Sequence, residues 1–164
     1  MYITIDEYSE LYDTIDEKLF NRLAFDASRM MDFQTTGIDG VRKLREAFPQ
    51  NEDDVRAVKH CAAKVVNLLH QIHEAEVSST AARGYEATEQ GVRGKIITSV
   101  SAGNESISYS AKSSAETVVD KAVSDIAFRD SLVAGLIWKG LSGVSDANGV
   151  GLLYMGKYPG RCRC

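Results

Sequence analysis

The strongest hydrophobic rhythm in the chain lies between Val55 and Ile72. Val55, Val58, Ala62, Val65, Leu69 and Ile72 recur there in alternating steps of three and four. That spacing gathers every apolar side chain onto one face of a helix. Asn51 stands where an N-cap is wanted, and Glu52, Asp53 and Asp54 put carboxylates at the positive helix end. A long helix over 52–76 is predicted. A second stripe, Leu19, Phe20, Leu23, Ala27, Met30, Met31 and finally the polar Gln34, predicts a helix beginning near Thr14. Thr14 and Glu17 have capping-box spacing, and the helix should fade at Thr35–Thr36, before Gly37. A third run, Val118 or Val119, Ala122, Ile126, Arg129, Val133, Leu136 and Ile137, follows a second box of Ser113 and Glu116. Gly135 weakens that helix and Gly140 should end it. A helical turn around Glu7–Leu11 and a short element within 38–48, closed by Pro49, complete the helical signals.

The period changes from 3.6 to two between 95 and 110, in KIITSVSAGNESISYS. Ile96, Thr98 and Val100 alternate with Lys95, Ile97 and Ser99, and Ile107 and Tyr109 alternate with serines. Gly103-Asn104 offers turn chemistry, so one β-hairpin is predicted. A lone two-stranded hairpin is marginal in water and must pack on something. Residues 78–94 have three glycines, many small residues and no apolar period, which predicts an extended loop. The tail from Gly143 has five glycines in 22 residues around one apolar patch, Leu152-Leu153-Tyr154-Met155. Those side chains either fold back on the chain's own core or dock on a neighbour. The fold expected is mainly α: a small helical bundle of three to four helices, one hairpin and an extended C-terminal arm. A single domain of 1–164 would have its helical body at about 12–76 and 113–140, the hairpin at 95–110 and the arm at 141–164.

Composition adds limits. The net charge is −4, with acids in excess before residue 95 and bases in excess after it. Such asymmetry permits head-to-tail contact between copies. There is no dense basic block, which disfavours tight sequence-read binding of duplex DNA. A mildly acidic surface can still line a passage through which DNA slides. MYITIDEYSE is not a signal peptide, and the longest apolar stretch, 132–138, is too short to span a bilayer. Cys61, Cys162 and Cys164 fit a reducing compartment better than a disulfide framework, so a cytoplasmic protein without membrane contact is expected.

Tests for chemistry give little. His60, His70 and His73 all fall on the helix over 52–76, beside its apolar stripe, and read as solvated or interface residues rather than catalysts. Cys162 and Cys164 lie too near the C-terminus to organise a zinc site by themselves, and Cys61 and His60 point to different sides of their helix. The glycine-rich stretches match neither phosphate-binding fingerprint. The pattern argues against an enzyme and implies no metal and no cofactor.

Several stretches together resemble a known family. F-x-R-L and A-S-R-M-M-D within Phe20–Asp32 precede V-x-x-V-K at Val55–Lys59. Then come I-I-T-S-V-S-A-G-N-E-S-I-S-Y at Ile96–Tyr109 and G-L-L-Y-M-G near the C-terminus. This order resembles the head–tail connector, or adaptor, proteins of tailed bacteriophages and prophages, over roughly residues 12–162. The segment 142–150 is longer than the family pattern. The resemblance implies a structural virion protein at the neck, assembled in the bacterial cytoplasm. It would form a ring, typically of twelve copies, below the portal protein, extend the DNA channel and receive a stopper or tail-completion protein. Genomic DNA would pass through the lumen without sequence-specific contact. On this reading Leu152, Leu153, Tyr154, Met155, Tyr158 and Arg161 would bind the portal. Ile97, Ser99, Ser101, Asn104, Ser106, Ser108 and Tyr109 would meet sister subunits or the tail side. The alternatives are another neck component, a stopper or tail-completion protein, or a non-viral helical DNA-binding module. The helix over 52–76 sets Arg56, Lys59 and Lys64 against five acids, which speaks against the last.

Overall fold

A computed structural model of the chain describes residues 1–81, 83–88, 91–96, 99–102, 105–108 and 117–159, with side chains for 1–78 and 117–159. It is mainly helical. Among the described residues the helices are α1 (Ile5–Ser9), α2 (Glu17–Gln34), α3 (Lys43–Glu46), α4 (Glu52–Ala81), α5 (Val118–Ser124) and α6 (Ile126–Gly140). The chain forms two compact units, residues 1–70 with the chain from Asp130 onward, and residues 71–129.

In the first unit, α2 buries Phe20, Leu23, Ala24, Ala27 and Met31, the face its periodicity predicts. α4 adds Val58, Cys61, Ala62, Val65 and Val66, and α6 adds Val133 and Ile137 to the same core. Tyr8 of α1 packs on Phe20, with ring centroids 5.5 Å apart. The start of α2 differs from expectation. Asp16, not Thr14, is the N-cap, and its carboxylate accepts from the Leu19 amide at 3.0 Å. The capping box near the N-terminus is instead Thr4 with Glu7, at the head of α1. Asn51 does cap α4, accepting from the Asp53 amide at 3.2 Å. Gly140, expected only to end α6, also allows a close helix approach: a Cβ there would sit 2.7 Å from Cys61 Sγ.

In the second unit, α4 continues to Ala81, past the expected end at 76. The predicted loop over 78–94 is corrected. After α4 come strands β1 (Arg83–Thr88) and β2 (Gly91–Ile96), paired antiparallel with Tyr85 opposite Gly94. β3 (Ser99–Ala102) and β4 (Glu105–Ser108) form a separate antiparallel pair, with Val100 opposite Ile107. Lys95 and Ile96 therefore belong to the preceding pair. Ile97, Gly103, Asn104, Tyr109 and the Ser113–Glu116 box lie outside the described residues. The single third helix is also corrected. Asp125, at φ −124° and ψ 105°, ends α5, and its carboxylate then accepts from the Phe128 amide at 3.0 Å to start α6. Thr117 and Asp120 make the capping box of α5.

Candidate functional site

Residues 141–159 were expected to belong to an extended arm. They instead complete the first unit. Leu141, Val144 and Leu152 are buried in its core, and Leu153 packs against it. Leu152 has no exposed surface, so it is not available as a portal anchor without unfolding the segment. The reason is local as well as apolar. Asp146 closes a tight turn, its Oδ1 accepting from the amides of Asn148 at 2.8 Å and Val150 at 2.9 Å. Gly149 takes φ +76°, a backbone state that side chains resist. The Leu152 amide then donates to the Val144 carbonyl at 2.9 Å. The segment 142–150, long for the resemblance, is this turn.

A polar network fastens the segment to the body. Lys43 of α3 is buried, and its ammonium donates to the Tyr154 carbonyl. Burial lowers the Lys43 pKa, and the carboxylates of Asp146 and Asp39 oppose that shift. The Tyr158 hydroxyl donates to Asp146 Oδ2 at 2.6 Å and accepts from the Asn148 side-chain Nδ2 at 2.7 Å. The Tyr158 amide donates to Asp39 Oδ2 at 2.9 Å. Tyr158, named as an anchor from the sequence, is thus a half-buried lock. Lys43 and Asp146 carried no sequence signal, because lone charged residues in polar stretches read as surface.

Outside this lock the segment shows two large side chains to solvent, Tyr154 at 51% and Met155 at 43% exposure. Gly156 makes room for the Tyr154 ring, which a Cβ there would strike. The Met155 carbonyl accepts from the Ile38 amide at 3.3 Å, which brings in Ile38, 81% exposed. At the end of α2, Phe33 is 77% exposed, and the next residue, Gln34, accepts from Trp138 Nε1 at 3.2 Å. Trp138 itself is 46% exposed. These bonds bring together three chain segments that each display large apolar or aromatic groups. Rigid rings on a folded body are what interfaces use as anchors. Phe33 and Trp138 were missed in the sequence, although both fall off the buried stripes, which is their signal.

The other sequence candidates are placed without convergence. His60 is exposed, while His70 and His73 are half-buried along α4. No group of three or more histidines, cysteines or carboxylates among the described residues could hold a metal. Burial pushes the Cys61 thiol up to about 11, so it packs as an apolar group. Ser99, Ser101, Ser106 and Ser108 lie in the β3–β4 pair, and Arg161 falls outside the described residues. No helix among the described residues is long and apolar enough to cross a membrane. In comparisons with protein-family models, curated proteins and solved structures, nothing matches this chain.

Proposed function

We propose that the chain is a non-catalytic assembly protein of the head–tail connector kind. It would form a ring under a phage portal, extend the DNA channel and receive the next neck or tail protein, with the virion neck as its place of work. One observation carries the reading: a domain with a complete core still displays Phe33, Ile38, Trp138, Tyr154 and Met155 on segments bonded to one another. Large apolar groups left exposed on linked segments are what protein contact sites use. The sequence resemblance names the partner class.

The structure changes how the contact would work. Leu152 and Leu153 serve the core, so Tyr154 and Met155 are the anchors, held in place by Lys43 and Tyr158. Tyrosine brings large area at small entropic cost, and methionine adapts to irregular surfaces. Among the described residues β3 and β4 pair only with each other, an arrangement that suits strand addition by a sister copy or the tail-side protein. The test is co-sedimentation of the chain with portal rings from the phage or prophage that encodes it. Wild-type protein should pellet with the rings, and Tyr154→Ser with Met155→Ser should not, with unchanged circular dichroism. Equal pelleting of both proteins removes these anchors from the account.

A further inference from the structure

The first unit also carries a groove of about 1060 Å³ between the N-terminal residues, α2 and α3, sharing Phe33 with the surface above. That is at or above the usual size of small-molecule sites, roughly 300–1,000 Å³. Its walls are aromatic and cationic. Tyr2 and Phe48 stack with centroids 5.8 Å apart, and the exposed rings of Phe25 and Phe33 stand beside them. Arg29, Arg42, Arg45 and Lys59 face it against two carboxylates, Glu7 and Asp32.

Both carboxylates are already engaged. Glu7 takes Lys59 at 2.5 Å and the Thr4 amide at 3.0 Å, and Asp32 accepts the Tyr2 hydroxyl. The three arginines make no ion pair with a carboxylate among the described residues. The Arg29 guanidinium carbon lies 6.0 Å from the Phe25 ring centroid, at the outer reach of a cation–π contact. Arg42 and Arg45 sit at the head of α3 and within it. The groove thus gathers a surplus of exposed guanidinium groups beside an aromatic floor, on a chain of net charge −4.

We propose that this groove binds an acidic segment of a partner polypeptide, with carboxylates flanking an aromatic or aliphatic side chain. Guanidinium forks take carboxylates in pairs of parallel hydrogen bonds, and the rings between them take the apolar side chain. Single-stranded nucleic acid also uses cations and rings, but its phosphate on every nucleotide would meet the acidic remainder of this chain. The proposal does not rest on the connector reading, and its test needs no portal.

The test uses the full chain and a fluorescein-labelled peptide in which phenylalanine is flanked on both sides by aspartates and glutamates. Fluorescence anisotropy should show saturable binding, weakened by added salt. The same peptide with asparagine and glutamine in place of the acids should bind about tenfold more weakly or worse, and so should the acidic peptide to Arg42→Glu with Arg45→Glu. Both substitutions are on exposed residues, and circular dichroism checks the fold; Arg29→Gln gives a second, milder variant with an intermediate loss. Equal binding of the two peptides overturns the proposal. So does binding that the arginine substitutions leave unchanged, or tighter binding of a short oligothymidylate. Self-association that needs these arginines, without peptide binding, also overturns it.

Discussion

Asp146 ties the C-terminal segment together through several bonds. It accepts two backbone amides within its own turn and the Tyr158 hydroxyl, and its charge acts on the buried Lys43 ammonium. Replacing it leaves donors unmatched in a buried site, which costs far more than a surface hydrogen bond. Asp146→Ala should destabilise the protein by about 2–4 kcal/mol in urea unfolding. Tyr158→Phe, which removes one hydroxyl, should cost about 1 kcal/mol. If both variants unfold with wild-type midpoints, the network does not hold the segment. Glu7 gives the pH signature of the first unit. The hydrogen bond from Lys59, and then that from the Thr4 amide, hold its carboxyl below the usual range. A depressed carboxyl stabilises the fold above its unfolded value of about 4.3, and that share is lost as pH falls through the folded value. Lys59→Met should therefore flatten the stability profile below about pH 4.3 and leave its shape near neutrality alone. An unchanged acid limb in the variant would show that the pair contributes nothing.

At the scale of elements, caps decide where helices begin, and they are the least legible part of the sequence. Thr14–Glu17 and Ser113–Glu116 both have box spacing, yet Asp16 caps α2 and the box of α5 is Thr117 with Asp120. Spacing names the residues able to cap, while the backbone path selects one. Asp16→Ala should cost about 1 kcal/mol, and Thr14→Ala only a few tenths. The reverse order in thermal melts would return the cap to Thr14. The stripes, in contrast, could be read directly. Phe20, Leu23, Ala27 and Met31 are buried as their period requires, and so are Val58, Ala62 and Val65. Asp125 shows why the third helix was misread. The apolar rhythm runs on across it, because periodicity is blind to one residue turning to extended backbone. Gly140 shows the same limit for packing. Its role against Cys61 depends on a contact far along the chain, and Gly140→Ala should cost about 1–3 kcal/mol through overpacking. A neutral Gly140→Ala would mean that α4 and α6 part without penalty.

At the scale of the whole molecule, the sequence left open whether the tail folds back or docks outward. Each answer holds for different residues. Leu141, Val144 and Leu152 fold into the core, whereas Tyr154 and Met155 face solvent. An apolar run of four cannot announce which members face inward, since the turn at Asp146 and the buried Lys43 set that phase from elsewhere in the chain. The predicted hairpin over 95–110 shared this ambiguity. Alternation marks strands, but not which strand pairs with which, and Lys95 and Ile96 pair back onto β1. The connector account rests on displayed rings finding a ring-shaped partner. Electron microscopy of the purified chain mixed with its portal tests that most directly. The account predicts an added annulus stacked coaxially on the narrow end of the portal, lost with Tyr154→Ser and Met155→Ser. Bare portals beside free, folded chains at saturating concentration would contradict it.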